Sequence, residues 1–277
     1  NTEMVNRLGK VDQGNTVTDY DEDEIEKKIS ISASVAYAVK NKHKVNLIDT
    51  PGFANFVWEA RVALRAAETG LMLVNATEGV EVQSEKIFDS TEELEKPIII
   101  AVNKMKKDLA SFDKALESIT QSFGKNAVPV QLPIGVGADF VGLVDLVEKK
   151  AFKYSDDEKG KFEVIDIPAD MQDDVDSNRE ALIEKIAEND EALMEKYFEE
   201  GDLSSEEILK GLKAGIISRD IFPVLVVDAL SNIGTQQLLD FIIAYTPSIF
   251  EVADAPTTEG SLKADPNGKF AGLIFKT

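Results

Sequence analysis

The sequence predicts an α/β fold in which a doubly wound, mostly parallel sheet carries an inserted α+β subdomain. Short, nearly continuous apolar runs indicate strands that are covered on both faces, since such strands lose the usual polar alternation. These runs are residues 44–49, 71–76, 97–103 and 223–228. Helical patterns follow them, at residues 55–67, 81–94, 109–123 and 235–245. Strands that alternate with helices are typical of a parallel sheet.

The pattern changes between residues 128 and 220, which we interpret as an inserted α+β subdomain. It predicts two short strands, an exposed turn and two amphipathic helices, the second with a capping box formed by Ser204 and Glu207. The strands span 142–147 and 150–154, the turn 156–160, and the helices 171–199 and 205–214. Residues 1–127 and 221–253 then form the main domain. Residues 254–277 are predicted to be a linker that ends in the first strand, 270–276, of a following β-barrel domain.

Composition restricts the class of protein. The net charge of −21 repels phosphate backbones, so we expect no binding to free DNA, although local basic patches could still dock a partner. There is no cysteine, which argues against disulfides and thiolate metal sites. No apolar run reaches about 18 residues and residues 1–10 show no signal-peptide core, so no membrane contact is expected. We therefore expect a cytoplasmic, monomeric protein.

The first chemical motif is Asp49-Thr50-Pro51-Gly52, directly after an apolar run. A carboxylate at the carboxyl end of a strand lies where α/β sheets bind ligands, and Asp49 could hold Mg²⁺ directly or through water. Gly52 would let the backbone approach a phosphate and donate an N–H to it. An ordinary turn that begins at Asp and uses Pro and Gly is an equally good interpretation of these residues alone.

Two further motifs also end apolar runs. Asn103 could hydrogen-bond a purine edge, and the stem of Lys104 could cover the ring face. A backbone N–H in the Ala229-Leu230 turn could meet a carbonyl oxygen of the base. Each is weak alone, but three such loops in this order after strands of one sheet favour a nucleotide site. The fourth motif is Ser30, whose hydroxyl could bind Mg²⁺ in a flexible loop, with a solvated charged loop as the alternative.

Together these residues resemble elongation factor G and its elongation-factor-G-like paralogues. The resemblance is carried by segments such as VNLIDTPGF, PIIIAVNKM, FVGLVDLVEKKAFKY, LIEKIAENDEALMEKYFEE and PVLVVDALSNIGTQQLLDFI. It implies a sheet of the P-loop GTPase type and a GTPase that acts on the ribosome, where GTP closes two switch segments and hydrolysis releases them. The implied cofactors are GTP/GDP and Mg²⁺. The implied roles are Ser30 and Asp49 near Mg²⁺, Gly52 near the γ-phosphate, and Asn103, Lys104 and Ala229 around guanine.

The chain departs from the family pattern at four points. The phosphate loop G-x-x-x-x-G-K-[ST] occurs nowhere in it, so the first strand and this loop would lie upstream of Asn1. Phe53 stands where the family has a histidine that positions water, so no catalytic residue is predicted. Lys106 stands where the family has an aspartate that accepts guanine protons, and lysine has no acceptor. Asp228 replaces a serine whose contact is expected to come from backbone.

We therefore expect the parent protein to hydrolyse GTP, and the chain alone to bind GTP weakly or not at all and to hydrolyse none. One alternative is a degenerate, non-hydrolysing ribosome-binding module. Others are another translational GTPase class, such as a ribosomal protection protein or a release factor, and a preference for a different nucleotide because of Lys106.

Overall fold

The computed structural model describes residues 9–258, 260–268 and 270–276. In it the β-branched and aliphatic runs of the sequence form strands, and the amphipathic segments form helices. The strands are β1 Ser34–Lys40, β2 His43–Asp49, β3 Gly70–Asn75, β4 Ile98–Asn103, β5 Ala127–Pro129, β6 Gln131–Ile134, β7 Gly142–Asp145, β8 Lys150–Tyr154, β9 Phe162–Ile165, β10 Phe222–Val226, β11 Ala255–Thr257 and β12 Gly260–Leu262. The helices are α1 Glu22–Lys27, α2 Val57–Ala66, α3 Val82–Glu93, α4 Phe112–Phe123, α5 Gln172–Ala187, α6 Glu191–Glu200, α7 Ser205–Ser218 and α8 Thr235–Tyr245. No helix of the described ranges combines the length and the apolar character needed to cross a bilayer.

The chain divides into two compact units, which we name and describe separately. The hairpin unit consists of Asn1–Glu68, Lys86–Leu94 and Pro247–Thr277. The sheet unit consists of Thr69–Glu85 and Glu95–Thr246. Residues 1–8 of the hairpin unit lie outside the described residues.

The sheet unit is built on a parallel four-stranded sheet in the order β3-β4-β10-β5. The central strand β4 has the sequence IIIAVN, and its first five residues are fully buried, as the continuous apolar run predicts. Helix α4 begins after Ser111, whose side chain accepts a hydrogen bond from the Lys114 N–H, and it buries Phe112 and Ile119. The predicted α/β class with a mostly parallel sheet is confirmed.

An antiparallel sheet, β6-β7-β8-β9, follows directly from the last parallel strand pair. Val130 joins the two sheets: its N–H donates to Val224 O at 3.0 Å, and its carbonyl accepts from Leu146 N at 3.0 Å. Val130 is completely buried. Both sheets of this unit therefore share one hydrogen-bonded residue.

The predicted helix at 171–199 is two helices, α5 and α6. Asp190 separates the two helices, because its carboxylate accepts hydrogen bonds from Ala192 N and Leu193 N and so makes it the N-cap of α6. The predicted capping box of α7 is confirmed: Ser204 Oγ accepts from Glu207 N, and the Glu207 carboxylate accepts from Ser204 N at 2.9 Å. Helix α7 continues to Ser218, beyond the predicted end.

The hairpin unit corrects the expectation that residues 44–49 form a strand of the parallel sheet. Strand β2 instead pairs antiparallel with β1, from Ser34 opposite Asp49 to Lys40 opposite His43. Asn41 and Lys42 connect the strands with positive φ angles of 50° and 64°, which suits a two-residue hairpin turn. A short apolar segment such as residues 44–49 fits a half-buried hairpin strand as well as a buried parallel strand, so the sequence alone does not distinguish the two structures.

Residues 270–276, predicted to be the first strand of a following domain, are neither helix nor strand here. A strand needs a hydrogen-bonded neighbour, and within the described residues none pairs with this segment, so the strand stays a prediction. The region interpreted as a linker contains instead the small antiparallel pair β11-β12.

Candidate functional site

Two loops that follow adjacent parallel strands are tied together by one side chain, that of Asn103. Asn103 Oδ1 accepts hydrogen bonds from its neighbour Lys104 N at 2.7 Å and from Ala229 N at 3.0 Å. Strands β4 and β10 are neighbours, so their carboxyl ends lie side by side at one edge of the sheet. Asn103 and Ala229, predicted from separate motifs, are therefore brought together, and the side-chain amide nitrogen of Asn103 remains as a donor.

The Ala229 N–H is the group that the sequence analysis assigned to a base carbonyl, and here it donates to Asn103. Its neighbour Leu230 is 76% exposed. Lys104 is exposed and has a φ of 65°. The backbone turns at this left-handed residue, so Lys104 is exposed whereas the next residue, Met105, is buried.

Asp228 has a larger structural role than the sequence analysis gave it. Its Oδ2 accepts from Lys106 N at 3.0 Å, and its Oδ1 accepts from Ser231 N at 2.9 Å and from the Ser231 hydroxyl at 2.7 Å. The residue is only 4% exposed. Its carboxylate therefore fixes both loops, and a signal was available, because Asp followed by Ser three residues later is typical of a side-chain-capped turn.

Lys106 reaches away from its own loop to a turn of the antiparallel sheet. Its Nζ lies 2.8 Å from Asp156 Oδ1, and the Asp156 side chain is 92% exposed. The two residues are 50 positions apart, so no local pattern could have paired them. The family pattern has an aspartate at position 106. Here that position holds Lys106, which is paired with the carboxylate of Asp156.

The remaining predicted residues belong to the hairpin unit. Asp49 is the exposed last residue of β2, and Pro51 after it is buried. A Cβ atom at Gly52 would meet nothing within 4 Å. Neither packing nor a positive φ therefore demands glycine there, whereas the close approach of a ligand to the backbone would.

Phe53 caps the short 3-10 helix Ala54–Phe56 with its carbonyl, which accepts from Phe56 N at 2.9 Å. Its side chain is 57% exposed. An exposed phenyl ring has no group that could hydrogen-bond water, so this position has no general base.

Ser30 is held within its own loop by Asp19. The Ser30 hydroxyl donates to Asp19 Oδ1 at 2.7 Å, which leaves the oxygen lone pairs of the serine as acceptors. Sequence reasoning missed the residue that organises this loop, Glu24, which is 1% exposed and accepts from Ile31 N at 2.9 Å and Ser32 N at 3.1 Å. Burial alone would raise the pKa of Glu24, but these backbone hydrogen bonds outweigh it and hold the pKa below its usual value.

Within the described residues, no group of three or more His, Asp or Glu side chains is arranged to hold a metal. The chemistry of Asp49 and Ser30 nevertheless fits Mg²⁺, since both supply the hard oxygen ligands that this ion prefers and it usually keeps several waters. Asp49 and Ser30 would hold it, and the ion would supply positive charge to phosphate oxygens.

The family model for the elongation factor Tu GTP binding domain matches residues 1–248. The chain belongs to this family. As a member of the elongation factor Tu GTP binding domain family, it is 36% identical over 97% of its length to elongation factor G of Thermotoga maritima and of Thermotoga sp. strain RQ2. It spans 40% of the length of each of these relatives.

A crystal structure of a Thermus thermophilus protein is also similar, with a TM-score of 0.84 and 31% sequence identity over 90% of this chain and 37% of that one. The predicted resemblance to elongation factor G and the predicted GTPase type of fold are thereby confirmed. The chain is a GTP-binding domain of the translational GTPase type with elongation factor G homologues.

Proposed function

We propose that this domain is the GTP-driven conformational switch of a ribosome-associated, elongation-factor-G-like translation factor. In that factor the switch binds GTP/GDP with Mg²⁺, and the complete protein hydrolyses GTP. The ribosome is the partner, and we propose a monomer in the cytoplasm that does not bind free DNA or membranes.

The observation that carries the proposal is the double hydrogen bond accepted by Asn103 Oδ1 from the two loops. It supports a rigid rim at the carboxyl ends of β4 and β10, where open α/β sheets bind nucleotides. In the proposal the Asn103 amide nitrogen donates to the base, the Lys104 stem covers the ring face, and the Ala229-Leu230 turn contacts the base carbonyl.

We propose that residues of the hairpin unit bind the phosphates and Mg²⁺. Asp49 and Ser30 would bind Mg²⁺, and the Thr50-Pro51-Gly52 turn would approach the γ-phosphate with the Gly52 N–H. The empty space around the Gly52 Cβ position supports this assignment. The exposed Asp49 carboxylate at the end of β2 supports the metal role.

We also propose the domain division as 1–127 and 221–253 for the GTPase domain, 128–220 for the insert, and 254–277 for a linker to a following domain. Support comes from the pairing of β5 with β10. Because these strands are neighbours, the chain leaves the parallel sheet and returns to it at one place, as an insert requires.

The test is a pair of titrations of the chain with GDP and ADP, for the wild type and for Asn103→Asp. The variant keeps an acceptor oxygen and so the loop contacts, but it loses the amide donor. We expect the wild type to bind weakly, with GDP preferred over ADP. We expect Asn103→Asp to lose this binding. Equal binding of ADP and GDP by the wild type would contradict the proposal, and tighter binding of ADP would favour a different nucleotide.

A second candidate function is a ribosome-binding module that does not hydrolyse GTP, and the exposed Phe53 favours it. Loss of a catalytic polar group costs about 10²- to 10⁴-fold in rate. The separating measurement is ribosome-stimulated GTP turnover by the full-length protein that contains this chain. Turnover above background rejects the non-hydrolysing module.

A further inference from the structure

We infer that Lys276 is a positioning residue for the loop that carries Ser30, and that it couples this loop to the C-terminal segment 270–276. The inference rests on the proposed function, because the assignment of Ser30 to Mg²⁺ belongs to that proposal. It concerns the regulation of the site and not the identity of its ligand. The loop and the segment belong to the same compact unit, the hairpin unit.

The backbone that follows Ser30 is held by carboxylates. The next three residues each donate their N–H to one: Glu24 accepts from the first two, and Glu59 Oε2 on helix α2 accepts from the third, Ala33 N, at 2.9 Å. Hydrogen bonds to an ionised acceptor are about twice as strong as those between neutral groups. The path of the chain from Ser30 to Ala33 is therefore fixed on its donor side.

The carbonyl of Ala33 has a partner from a distant part of the chain. Lys276 Nζ donates to Ala33 O, and the two residues are 243 positions apart. The N–H and the carbonyl of Ala33 thus both bind charged side chains, one from helix α2 and one from the C-terminal segment. A shift of the loop at Ala33 therefore either breaks these contacts or moves their partners with it.

Glu59 and Lys276 line one cavity of about 260 Å³. The other residues that line it are Ser32, Ala33, Trp58, Val62 and Phe275. The hydrogen bond between Lys276 and Ala33 is partly buried, so water competes with it less than with an exposed ion pair. Residues 270–276 form neither helix nor strand, so side-chain contacts of this kind set the position of the segment.

Such a contact couples two parts of the molecule in both directions. A ligand that orders the loop favours the docked segment, and a change that releases the segment loosens the loop by the same free energy. Under the proposed function, the position of the segment would depend on whether Ser30 binds Mg²⁺, and the affinity for Mg²⁺ would depend on the position of the segment.

The test measures amide hydrogen exchange by NMR in the ¹⁵N-labelled chain, residue by residue. The reporters are the amides of Ile31, Ser32 and Ala33, and the reference is the ladder between β1 and β2 in the same unit. Lys276→Met removes the ammonium and keeps an apolar stem, whereas Lys276→Arg keeps a cation. Lys263→Met is the matched control, since Lys263 is an exposed lysine of the same C-terminal region.

We expect Lys276→Met to speed exchange of the three reporter amides about tenfold, the size of effect of a hydrogen bond to a charged group. Lys276→Arg and Lys263→Met should stay near the wild-type rates, and the reference ladder should not change in any variant. Unchanged reporter rates in Lys276→Met overturn the inference. A rise that extends over the reference ladder overturns it too, because it would show only a loss of stability. Both outcomes leave the proposed function intact.

The proposed function is tested separately, in the full-length protein that contains this chain, by hydrogen-exchange mass spectrometry with and without Mg²⁺ and GDP. We expect the ligands to slow exchange over residues 30–34 in the wild type, and to slow it less in Lys276→Met. An absence of slowing in the wild type counts against Ser30 as a Mg²⁺ ligand and against the proposed function, while the coupling stands on the NMR result. Equal slowing in both proteins counts against the coupling.

Discussion

At the scale of single residues, Asn103 is a structural tie as well as a candidate ligand. Removing its side chain leaves two backbone N–H groups, on Lys104 and Ala229, without their acceptor. Both groups are near solvent, so water replaces part of the lost interaction. The expected cost is at the level of one ordinary hydrogen bond.

We therefore predict that Asn103→Ala lowers the free energy of unfolding by about 1 kcal/mol. Asn103→Asp, which retains an acceptor oxygen, should lose clearly less. Urea denaturation followed by circular dichroism measures both. Equal losses in the two variants would show that the oxygen is not what ties the loops.

Asp145 at the end of β7 is a carboxylate in an unfavourable environment. Burial raises its pKa from the ordinary 3.8 to about 6, with a further upward contribution from the charge of Glu148, against hydrogen bonds from Glu148 N and Val147 N. The folded state thus binds a proton more tightly than the unfolded state. Between pH 4 and pH 6, as a rough window, the folded state holds more protons, so unfolding becomes easier as the pH rises.

We predict that Asp145→Asn is more stable than the wild type at pH 7, because the amide keeps the acceptor oxygen without the charge. The difference should shrink as the pH falls through about 6 and vanish near pH 4. Urea midpoints across this range provide the measurement. A difference that grows at low pH would mean that the sign is wrong.

At the scale of elements, helix α7 depends on its first turn. The Glu207 carboxylate accepts from Lys196 Nζ, from the Ser204 hydroxyl and from Ser204 N, and these contacts, Lys196 first, lower the pKa of Glu207 to about 2. In return Ser204 Oγ accepts the Glu207 N–H. Ser204 and Glu207 therefore supply hydrogen-bond partners to each other's backbone N–H groups at the start of α7.

We predict that Ser204→Ala destabilises the chain by about 1 kcal/mol, the usual cost of losing an N-cap. Ser205→Ala, one residue later and exposed, is the matched control and should change stability little. Denaturant titrations of the two variants side by side decide the matter. A similar loss in both variants would show that the loss does not come from the N-cap, since alanine has a higher helix propensity than serine.

The sequence predicted elements well where a pattern was long or chemically distinctive. The apolar run of β4, the Ser204 capping box and the turn at 156–160 belong to this group. It failed where a local pattern fits more than one structure: β2 pairs with its neighbour β1 in a hairpin, and α5 stops because Asp190 caps the next helix. In the site the reason is distance, since Asn103 and Ala229 were predicted but the contact between Lys106 and Asp156, 50 positions apart, was not.

At the scale of the whole molecule, charge is the dominant feature. The chain has 51 acidic and 30 basic residues, and this excess opposes compaction by self-repulsion. Salt screens such repulsion over a Debye length of about 10 Å at 0.1 M. Stability should therefore depend on ionic strength.

We predict that the urea midpoint at pH 7 rises as NaCl increases from about 0.05 to about 0.5 M. Near the isoelectric point of about 4.5 the same addition should have little effect, because the net charge is small there. A midpoint that falls with salt at pH 7 would indicate that favourable ion pairs outweigh the net repulsion.

Val130 gives the molecule a mechanical property. The N–H of Val130 donates to Val224 O in the parallel sheet, and the carbonyl of the same residue accepts from Leu146 N directly after β7 in the insert. Because Val130 is hydrogen-bonded on both sides, we expect a displacement of the insert's sheet to change the position of strand β10 as well. The turn at Ala229 follows that strand, so the same displacement would alter its geometry.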